Sequence, residues 1–299
     1  MTKTLGGRLA KIAALLISVF LVLTAAFAFV GCETKRPEIS IRLSFNGQTY
    51  EMEYKLYRNM YPQTVAHYLE LIDMGYFDGT VIHDYQSDRM VGGGYVYEGD
   101  DVEDDLAAKD YDAATKDENG NVTLENISVW ADKNKEIAYN TLYGEGTQQM
   151  KVVNNGLDNN VFGALGTYYY TPLQDNGADK VWIQKNEGGE MTERSYCYNS
   201  ATSMFYLYTG SSGSNPEFCI FGLLKDSDDQ ETFQSLLDAI KEYTLETLNG
   251  GDEEGTEEFT SKVPMVIEDE YWGESSYENV TFNVPKAQIV IESVRVLKY

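Results

Sequence analysis

The stretch from residue 62 to residue 94, PQTVAHYLELIDMGYFDGTVIHDYQSDRMVGGG, constrains the fold most, because it joins a helix, a turn and a strand without a linker. Its apolar residues have the i, i+3, i+4, i+7 spacing of one helix face: Val65, Tyr68, Leu69 and Ile72. Pro62 suits the first turn of this helix and Gly75 suits its end. Asp78-Gly79 then predicts a turn into the run Thr80-Val81-Ile82-His83, and the glycines at 92–94 predict a sharp bend or a close backbone approach.

Strand patterns surround this stretch. Alternating apolar residues on both sides of Asn46-Gly47 predict an antiparallel hairpin at the start of the folded part. Further strands are predicted over residues 161–170, 204–208, 218–224 and 289–297. A second helix is predicted from Ser227, which has capping-box spacing with Gln230, to the break at residues 249–251. Its predicted inner stripe consists of Phe233, Leu236, Leu237 and Ile240. Because strands and helices do not alternate regularly, an antiparallel barrel or sandwich is favoured over a doubly wound sheet.

The first 31 residues have the pattern of a secretory leader. Three basic residues open the chain: Lys3, Arg8 and Lys11. An uncharged apolar run follows over residues 12–30. The pair Gly31-Cys32 resembles a bacterial lipobox, with Phe29 in place of the usual Leu, and predicts lipidation of Cys32. The alternative is an uncleaved transmembrane anchor. Both readings place the rest of the chain outside the cytoplasm and attached to a membrane.

Charge excludes some classes of partner. Removal of the three basic residues with the leader leaves 20 basic against 48 acidic residues, a net charge of −28. This balance argues against binding nucleic acid or anionic lipid headgroups. Many acids lie in predicted surface insertions, including residues 100–105 and 117–121, neither of which has the ligand spacing of an EF-hand. No metal or cofactor is expected.

The remaining cysteines, Cys197 and Cys219, leave two alternatives open. Outside the cytoplasm they can form a disulfide, and they can equally be two buried thiols.

Several blocks of the sequence together resemble the cyclophilins, a family of peptidyl-prolyl isomerases. Residues 62–68 (PQTVAHY) resemble the family's P-x-T-V-x-N-F, and residues 75–83 (GYFDGTVIH) resemble G-Y-Y-D-G-T-x-F-H. The segments LYGE at 142–145, NG at 155–156 and GAL at 163–165 resemble the spaced G-E-F, N-G and G-x-L. Residues 199–207 (NSATSMFYL) resemble N-S-A-T-S-Q-F-F-I, and residues 220–222 (IFG) resemble V-F-G.

The resemblance covers roughly residues 39–297 and implies the fold. It implies a mainly β protein, a closed eight-stranded antiparallel barrel with two capping helices and long acidic loop insertions. The expected organisation is a leader at 1–31, a short linker at 32–38 and one domain at 39–299. Insertions are expected at about 96–135, 171–196 and 249–283.

The resemblance also implies a site, and there the sequence departs from the family. By the resemblance, the family's main donor to the prolyl nitrogen is an Arg directly after the His of its F-H-R segment, whereas here Asp84 follows His83. An ionised carboxylate cannot donate a hydrogen bond. Arg89 can supply the missing guanidinium with Asp84 orienting it, or the two can form a surface pair of little consequence. His83 corresponds to a pocket-wall residue, and a buried core histidine is the alternative.

The other expected substrate-binding residues are spread over two segments. Met90 is kept from the family pattern F-M-x-Q, Arg89 stands in place of its aromatic residue, and Gly92 stands in place of its Gln. In the later segment, Met204 replaces a Gln, Tyr206 replaces a Phe, and Phe218 lies near the position of a pocket His.

Three functions are therefore expected in decreasing order. The first is a monomeric, lipid-anchored prolyl isomerase that acts on proline-containing segments of secreted or surface proteins. The second is a catalytically impaired cyclophilin-like module that binds a peptide or protein. The third is a surface lipoprotein whose acidic insertions bind cations or cationic partners.

Overall fold

The computed structural model describes residues 34–99, 159–168, 203–214, 218–269 and 276–299, and shorter stretches at 101–102, 105–109, 114–115, 117–119, 123, 129–130, 157, 180–184 and 191–195. The described strands are β1 Glu38–Phe45, β2 Gln48–Leu56, β3 Ile82–Tyr85, β4 Arg89–Gly92, β5 Tyr95–Tyr97, β6 Leu106–Ala108, β7 Val129–Trp130, β8 Asn159–Val161, β9 Leu165–Thr167, β10 Lys180–Gln184, β11 Met191–Ser195, β12 Phe205–Tyr208, β13 Ser212–Ser214, β14 Ile220–Leu224, β15 Thr260–Asp269, β16 Ser276–Pro285 and β17 Ile289–Lys298. The described helices are α1 Pro62–Asp73 and α2 Ser227–Tyr243, and a π-helical turn at Thr244–Leu248 follows α2.

The first hairpin forms as the sequence predicts. In β1, the apolar residues of the alternating pattern are buried: Ile39, Ile41, Leu43 and Phe45. Asn46 and Gly47 make the turn with φ of 47° and 77°, the left-handed values that a two-residue hairpin turn needs. Phe45 therefore pairs directly with Gln48, and the register continues to the pair of Glu38 with Lys55.

Eight strands form one antiparallel sheet in the order β17-β1-β2-β14-β9-β12-β4-β3. Both end strands have one neighbour in this order. Among the described residues the two ends meet at one isolated bridge between Val81 and Val290, beside which Ile291 exchanges backbone hydrogen bonds with Gly79 and Thr80. The sheet is therefore a curled, open half-barrel, and the expectation of a closed barrel was wrong.

The physical reason for the open sheet lies in β3. This strand has only four residues, and its pairing with β4 is irregular between Ile82 and Asp84. Strand β16 lies against β3, and the backbone N–H of Asn283 donates to the Asp84 carboxylate instead of to a strand carbonyl. Strand β3 is thus in contact with the β15–β16 hairpin, and it does not pair with β17 along its length.

The two helices pack on the main core, which is the larger cluster of buried apolar residues and includes the inner faces of β1 and β2. All four residues of the predicted α1 face are buried, and Gly75 ends the segment with a φ of 69°. In α2, Phe233, Leu236 and Ile240 are buried and Leu237 is half-buried, so the predicted stripe is confirmed. The predicted capping box at Ser227 is wrong. Asp226 is the N-cap, and its side chain accepts from the backbone N–H groups of Asp228 and Asp229 at 3.0 and 3.3 Å.

One predicted strand and one predicted loop insertion need correction. The strand expected over residues 161–170 is interrupted at Gly163, whose φ of 75° turns the chain between β8 and β9. The third expected insertion contains a regular antiparallel hairpin, in which β15 and β16 pair from Thr260 with Pro285 to Asp269 with Ser276. The insertion and domain boundaries themselves stay predictions.

Several expectations concern parts of the chain that lie outside the described residues. These are the leader with Cys32, the segments at 142–145, 155–156 and 199–202, and Cys197. Cys219 lies buried in the main core, and its backbone N–H donates to Thr167 Oγ1 at 3.1 Å. In the described part of the chain, which begins at residue 34, no helix is long and apolar enough to cross a membrane.

The N-cap of α2 predicts a stability effect. Asp226→Ala removes the acceptor of two backbone N–H groups, and we expect the free energy of unfolding to fall by about 1 kcal/mol. Glu231→Ala, which removes an exposed carboxylate of the same helix, is the control and should change it by less than about 0.5 kcal/mol. Urea titration of both variants measures the difference, and equal values would contradict the assignment of the cap.

Candidate functional site

The pairing of β4 with β12 decides which side chains share a face of the sheet. Tyr206 lies opposite Val91, and Tyr208 lies opposite Arg89, so these four residues share the outer face. Leu207 lies opposite Met90, and Phe205 lies opposite Gly92. Met90, Phe205 and Leu207 belong to the main core beneath the helices. The inner face of β4 therefore belongs to the main core, and the outer face packs into a second cluster of buried residues that includes Val91, Tyr206 and Tyr208.

An aromatic cluster, which we define as Tyr168, Tyr206 and Phe218, lies on the outer face. The Tyr168 and Phe218 rings stack at 4.9 Å, and Tyr206 meets the two rings edge-on at 6.5 and 6.0 Å. The Tyr206 hydroxyl donates to Asn160 Oδ1 at 2.7 Å, which fixes the Tyr206 ring. Burial raises the pKa of Tyr168 above its ordinary value, so its hydroxyl is protonated at neutral pH.

Arg89 places a guanidinium against this cluster. Its Cζ lies 5.1 Å from the centroid of the Tyr206 ring and 5.9 Å from that of Phe218. Asp88 holds the group by two parallel hydrogen bonds, Nε to Oδ1 at 2.9 Å and Nη2 to Oδ2 at 3.0 Å. Burial opposes the charge of Arg89, but the hydrogen bonds and charge of Asp88 outweigh it and raise the pKa of Arg89. The cation is therefore retained at every physiological pH.

Asp84 has a different environment from the one expected. Its side chain is buried, and its Oδ2 accepts from Gln86 Nε2 at 2.7 Å. Its Oδ1 accepts from Asn283, from the backbone N–H at 2.9 Å and from Nδ2 at 3.2 Å. Arg89 pairs with Asp88 and not with Asp84. The expectation that Asp84 orients Arg89 is corrected, because the adjacent Asp88 fills that role.

Gln86 is a site residue that the sequence argument missed. Its Nε2 donates both to Asp84 Oδ2 and to the Tyr168 hydroxyl at 3.0 Å, and it therefore joins the carboxylate to the aromatic cluster. The only sequence signal is its position two residues after Asp84, on the same side of an extended chain. The partner Tyr168 is distant in sequence and no local pattern points to it.

The structure brings some of the expected substrate-binding residues together and separates others. Tyr206 and Phe218 lie in the aromatic cluster, and Met204 packs half-buried at its border. Met90 and Gly92 face the core, and a Cβ at Gly92 would lie 2.8 Å from Ile82 Cδ1. The geometry therefore does not support their expected contact with substrate.

His83 lies away from the aromatic cluster, in a separate apolar group around the hairpin. Its buried ring is 4.3 Å from that of Tyr95 and 5.2 Å from that of Phe282. Burial lowers the pKa of His83 to about 3, so it is a neutral core residue at physiological pH. Among the described residues, no group of three His, Cys, Asp or Glu side chains is arranged to hold a metal ion.

The curled sheet with two helices and an outer aromatic cluster defines a cyclophilin-like β domain. The family model for the cyclophilin type peptidyl-prolyl cis-trans isomerase/CLD matches residues 41–266, which is more than half of the chain. The chain therefore belongs to the cyclophilin-type family.

Solved structures of distant family members also match. A Cryptosporidium parvum cyclophilin type peptidyl-prolyl cis-trans isomerase shares 14% sequence identity over 88% of this chain and 99% of its own, with a TM-score of 0.38. The same values hold for its structure in the presence of the dipeptide ala-pro. The Mimivirus cyclophilin shares 12% identity over 90% of this chain and 93% of its own, also with a TM-score of 0.38. No curated protein matches the sequence.

The Tyr206 hydrogen bond yields a prediction for the aromatic cluster. Tyr206→Phe leaves the buried Asn160 Oδ1 without this donor, and we expect a loss of about 1–3 kcal/mol in the free energy of unfolding. Tyr243→Phe makes the same chemical change at a half-buried ring with no such bond to a described residue, and should cost less than about 0.5 kcal/mol. Denaturant unfolding of the two variants is the measurement, and equal losses would contradict the assigned bond.

Burial of His83 yields a pH prediction. The unfolded chain binds a proton at this residue near pH 6.5, but the folded protein does so only near the folded pKa of about 3. Stability is therefore lost as pH falls from 6.5 towards 3. Between pH 7.5 and pH 5, this group should lower the free energy of unfolding by about 2 kcal/mol. His83→Phe removes the titrating group and keeps an aromatic ring. The difference between wild type and variant across this pH range isolates the effect, and parallel pH profiles would contradict it.

Proposed function

We propose that the protein is a peptidyl-prolyl cis-trans isomerase that binds extended proline-containing segments at the aromatic cluster and uses Arg89 as its donor. The observation that carries the proposal is the position of the Arg89 guanidinium over the rings of Tyr206 and Phe218. Membership in the cyclophilin-type family supports the reaction class.

The reaction needs few chemical groups, all of which an aromatic face and a guanidinium can provide. Rotation about an Xaa–Pro bond must break amide resonance, which costs about 18–20 kcal/mol without a catalyst. A donor that hydrogen-bonds the prolyl nitrogen favours the twisted amide, in which the nitrogen lone pair is no longer conjugated. Aromatic rings give an apolar surface for the proline ring. This mechanism requires no nucleophile, metal or cofactor.

Arg89 suits the donor role because its orientation is held without using all its N–H groups. The two hydrogen bonds to Asp88 engage Nε and Nη2, and a guanidinium has five N–H donors in total. Asp88 thereby fixes the plane of the group, as a bidentate carboxylate does. Neighbouring aromatic rings exclude water and strengthen the remaining hydrogen bonds to a substrate.

A second function, peptide binding without catalysis, is favoured by the environment of Asp84. At the position where the family has its Arg, the structure has a buried carboxylate that accepts from Gln86 and Asn283. Such a site can retain an aromatic surface for an extended peptide and lack the donor that catalysis requires. The two functions differ in the isomerisation rate and not in peptide affinity.

The proposed setting is the outer surface of a bacterial cell membrane. The charged start, apolar run and Gly31-Cys32 of the leader support a lipoprotein anchored through Cys32. The proposed partners are proline-containing segments of unfolded secreted or surface proteins. The strongly acidic composition supports neither nucleic acid nor anionic headgroups as partners.

Substitution of Arg89 tests the proposed reaction. In a cis–trans assay on Xaa-Pro peptides, we expect wild type to accelerate isomerisation and Arg89→Ala to lower kcat/KM at least about 100-fold, because a transition-state donor is lost. Arg89→Lys keeps the charge but not the two parallel hydrogen bonds, and should retain an intermediate activity.

Arg42→Ala is the matched control. Arg42 is an exposed guanidinium on β1 that pairs with Glu292 at 3.5 Å, and its loss should leave kcat/KM unchanged. A wild-type rate equal to the uncatalysed one, with peptide binding retained, would establish the second function. Full activity of Arg89→Ala would exclude Arg89 as the donor.

A further inference from the structure

A chain of side-chain hydrogen bonds connects the β15–β16 hairpin to the aromatic cluster. Asn283 of β16 donates twice to one oxygen of Asp84, and Gln86 donates to the other. The same Gln86 nitrogen donates to Tyr168, whose ring stacks on Phe218. Asp84 is therefore the central member of a network that begins in the hairpin and ends in the proposed binding surface.

The polarity of this network suits an acceptor at its centre. The donors described at Asp84 are N–H groups of Asn283 and Gln86, and both carboxyl oxygens of Asp84 accept from them. Asp84 is 2% exposed, and a carboxylate buried to that degree is stable only with compensating hydrogen bonds. The carboxylate and its donors therefore hold one another in place.

The hairpin end of the network is anchored in an apolar group. Asn283 lies between Phe282 and Val284, both fully buried. Phe282 packs edge-on against Tyr95 at 5.2 Å. Because neighbouring residues of a strand point to opposite faces, the packing of Phe282 and Val284 directs Asn283 towards Asp84.

We propose that Asp84 is a positioning residue for peptide binding: through Gln86 it sets the place of Tyr168 in the aromatic cluster, and through Asn283 it holds the hairpin against β3. This inference rests on the proposed function only in taking the aromatic cluster as the binding surface. Asp84 acts through other residues and does not itself contact the substrate. Asp84, which stands where the family has its Arg, thus has a role of its own.

A destabilising substitution at Gln86, followed by a compensating one at Asp84, tests the proposal. Gln86→Glu places a second carboxylate beside Asp84, and the two charges repel. Asp84→Asn added to Gln86→Glu restores one donor and one acceptor between the positions. We expect Gln86→Glu to weaken Xaa-Pro peptide affinity about 10-fold or more, and the double variant to recover to within about threefold of wild type.

Two readouts do not depend on peptide. The backbone amide of Asn283 should exchange with solvent about 10-fold faster in Gln86→Glu than in wild type, and recover in the double variant. The NMR signal of the labelled Tyr168 ring, assigned with Tyr168→Phe, should move in Gln86→Glu and return in the double variant. The matched control is Gln234→Glu, since Gln234 Nε2 donates to Asp238 Oδ1 at 3.0 Å on the exposed surface of α2. This control should leave the peptide affinity, the exchange rate of the Asn283 amide and the Tyr168 ring signal unchanged.

Recovery in the double variant supports the proposal, because a second substitution that improves binding is not expected of two independent structural residues. Wild-type behaviour of Gln86→Glu, or a double variant no better than the single one, overturns it. If Gln86→Glu does not fold, recovery of folding in the double variant is the supporting result, and two unfolded variants overturn the proposal. If wild type binds no Xaa-Pro peptide, the proposed function fails, and the exchange and NMR measurements still decide the role of Asp84.

Discussion

The position of β12 between β9 and β4 is the constraint on which the site depends. Tyr206 pairs with Val91 on one side and with Gly166 on the other, so its ring lies on the outer face above a glycine. A Cβ at Gly166 would come within 2.2 Å of the Tyr206 ring, and no larger residue leaves the ring where it is. With Tyr206 in place, its edges are available to Phe218 and Tyr168, and its face to Arg89. The register of three short strands thereby assembles a site from four segments of the chain.

Local hydrogen bonds, and not the overall charge of the protein, determine how charged side chains are placed in this site. The protein is strongly acidic, yet the cluster receives a cation, because Asp88 neutralises Arg89 locally through two hydrogen bonds. Asp84 is kept apart from this pair and is stabilised by neutral amide donors. The two carboxylates thus have separate tasks: Asp88 orients a cation, and Asp84 organises the amides of Gln86 and Asn283. The two acids, one in β3 and one in the turn that precedes β4, therefore need no shared partner.

Local structure and the buried face of β1 could be predicted from the sequence, but the buried face of β4 could not. The turn at Asn46-Gly47 and the buried side of α1 follow from patterns within a few residues, and both are confirmed. The side on which Met90 points depends on its pairing with Leu207, more than a hundred residues later, and a shift by one residue reverses it. The contact of Asp84 with Asn283 spans 199 positions. It depends on the β15–β16 hairpin, in a segment that the sequence predicted to be an acidic loop insertion.

The environment of Asp84 also explains why the family's Arg cannot simply be restored at this position. A guanidinium has only donors, and around position 84 it would meet the Gln86 amide nitrogen and the Asn283 N–H. The neighbours of Asp84 are thus complementary to an acceptor, whereas the neighbour of Arg89 is complementary to a donor. The acceptor Asp84 lies in β3 and the donor Arg89 begins β4, and each is supported by its own surroundings. The isomerase chemistry that we propose for this protein therefore rests on Arg89 and its aromatic neighbours, and not on the residue that follows the histidine.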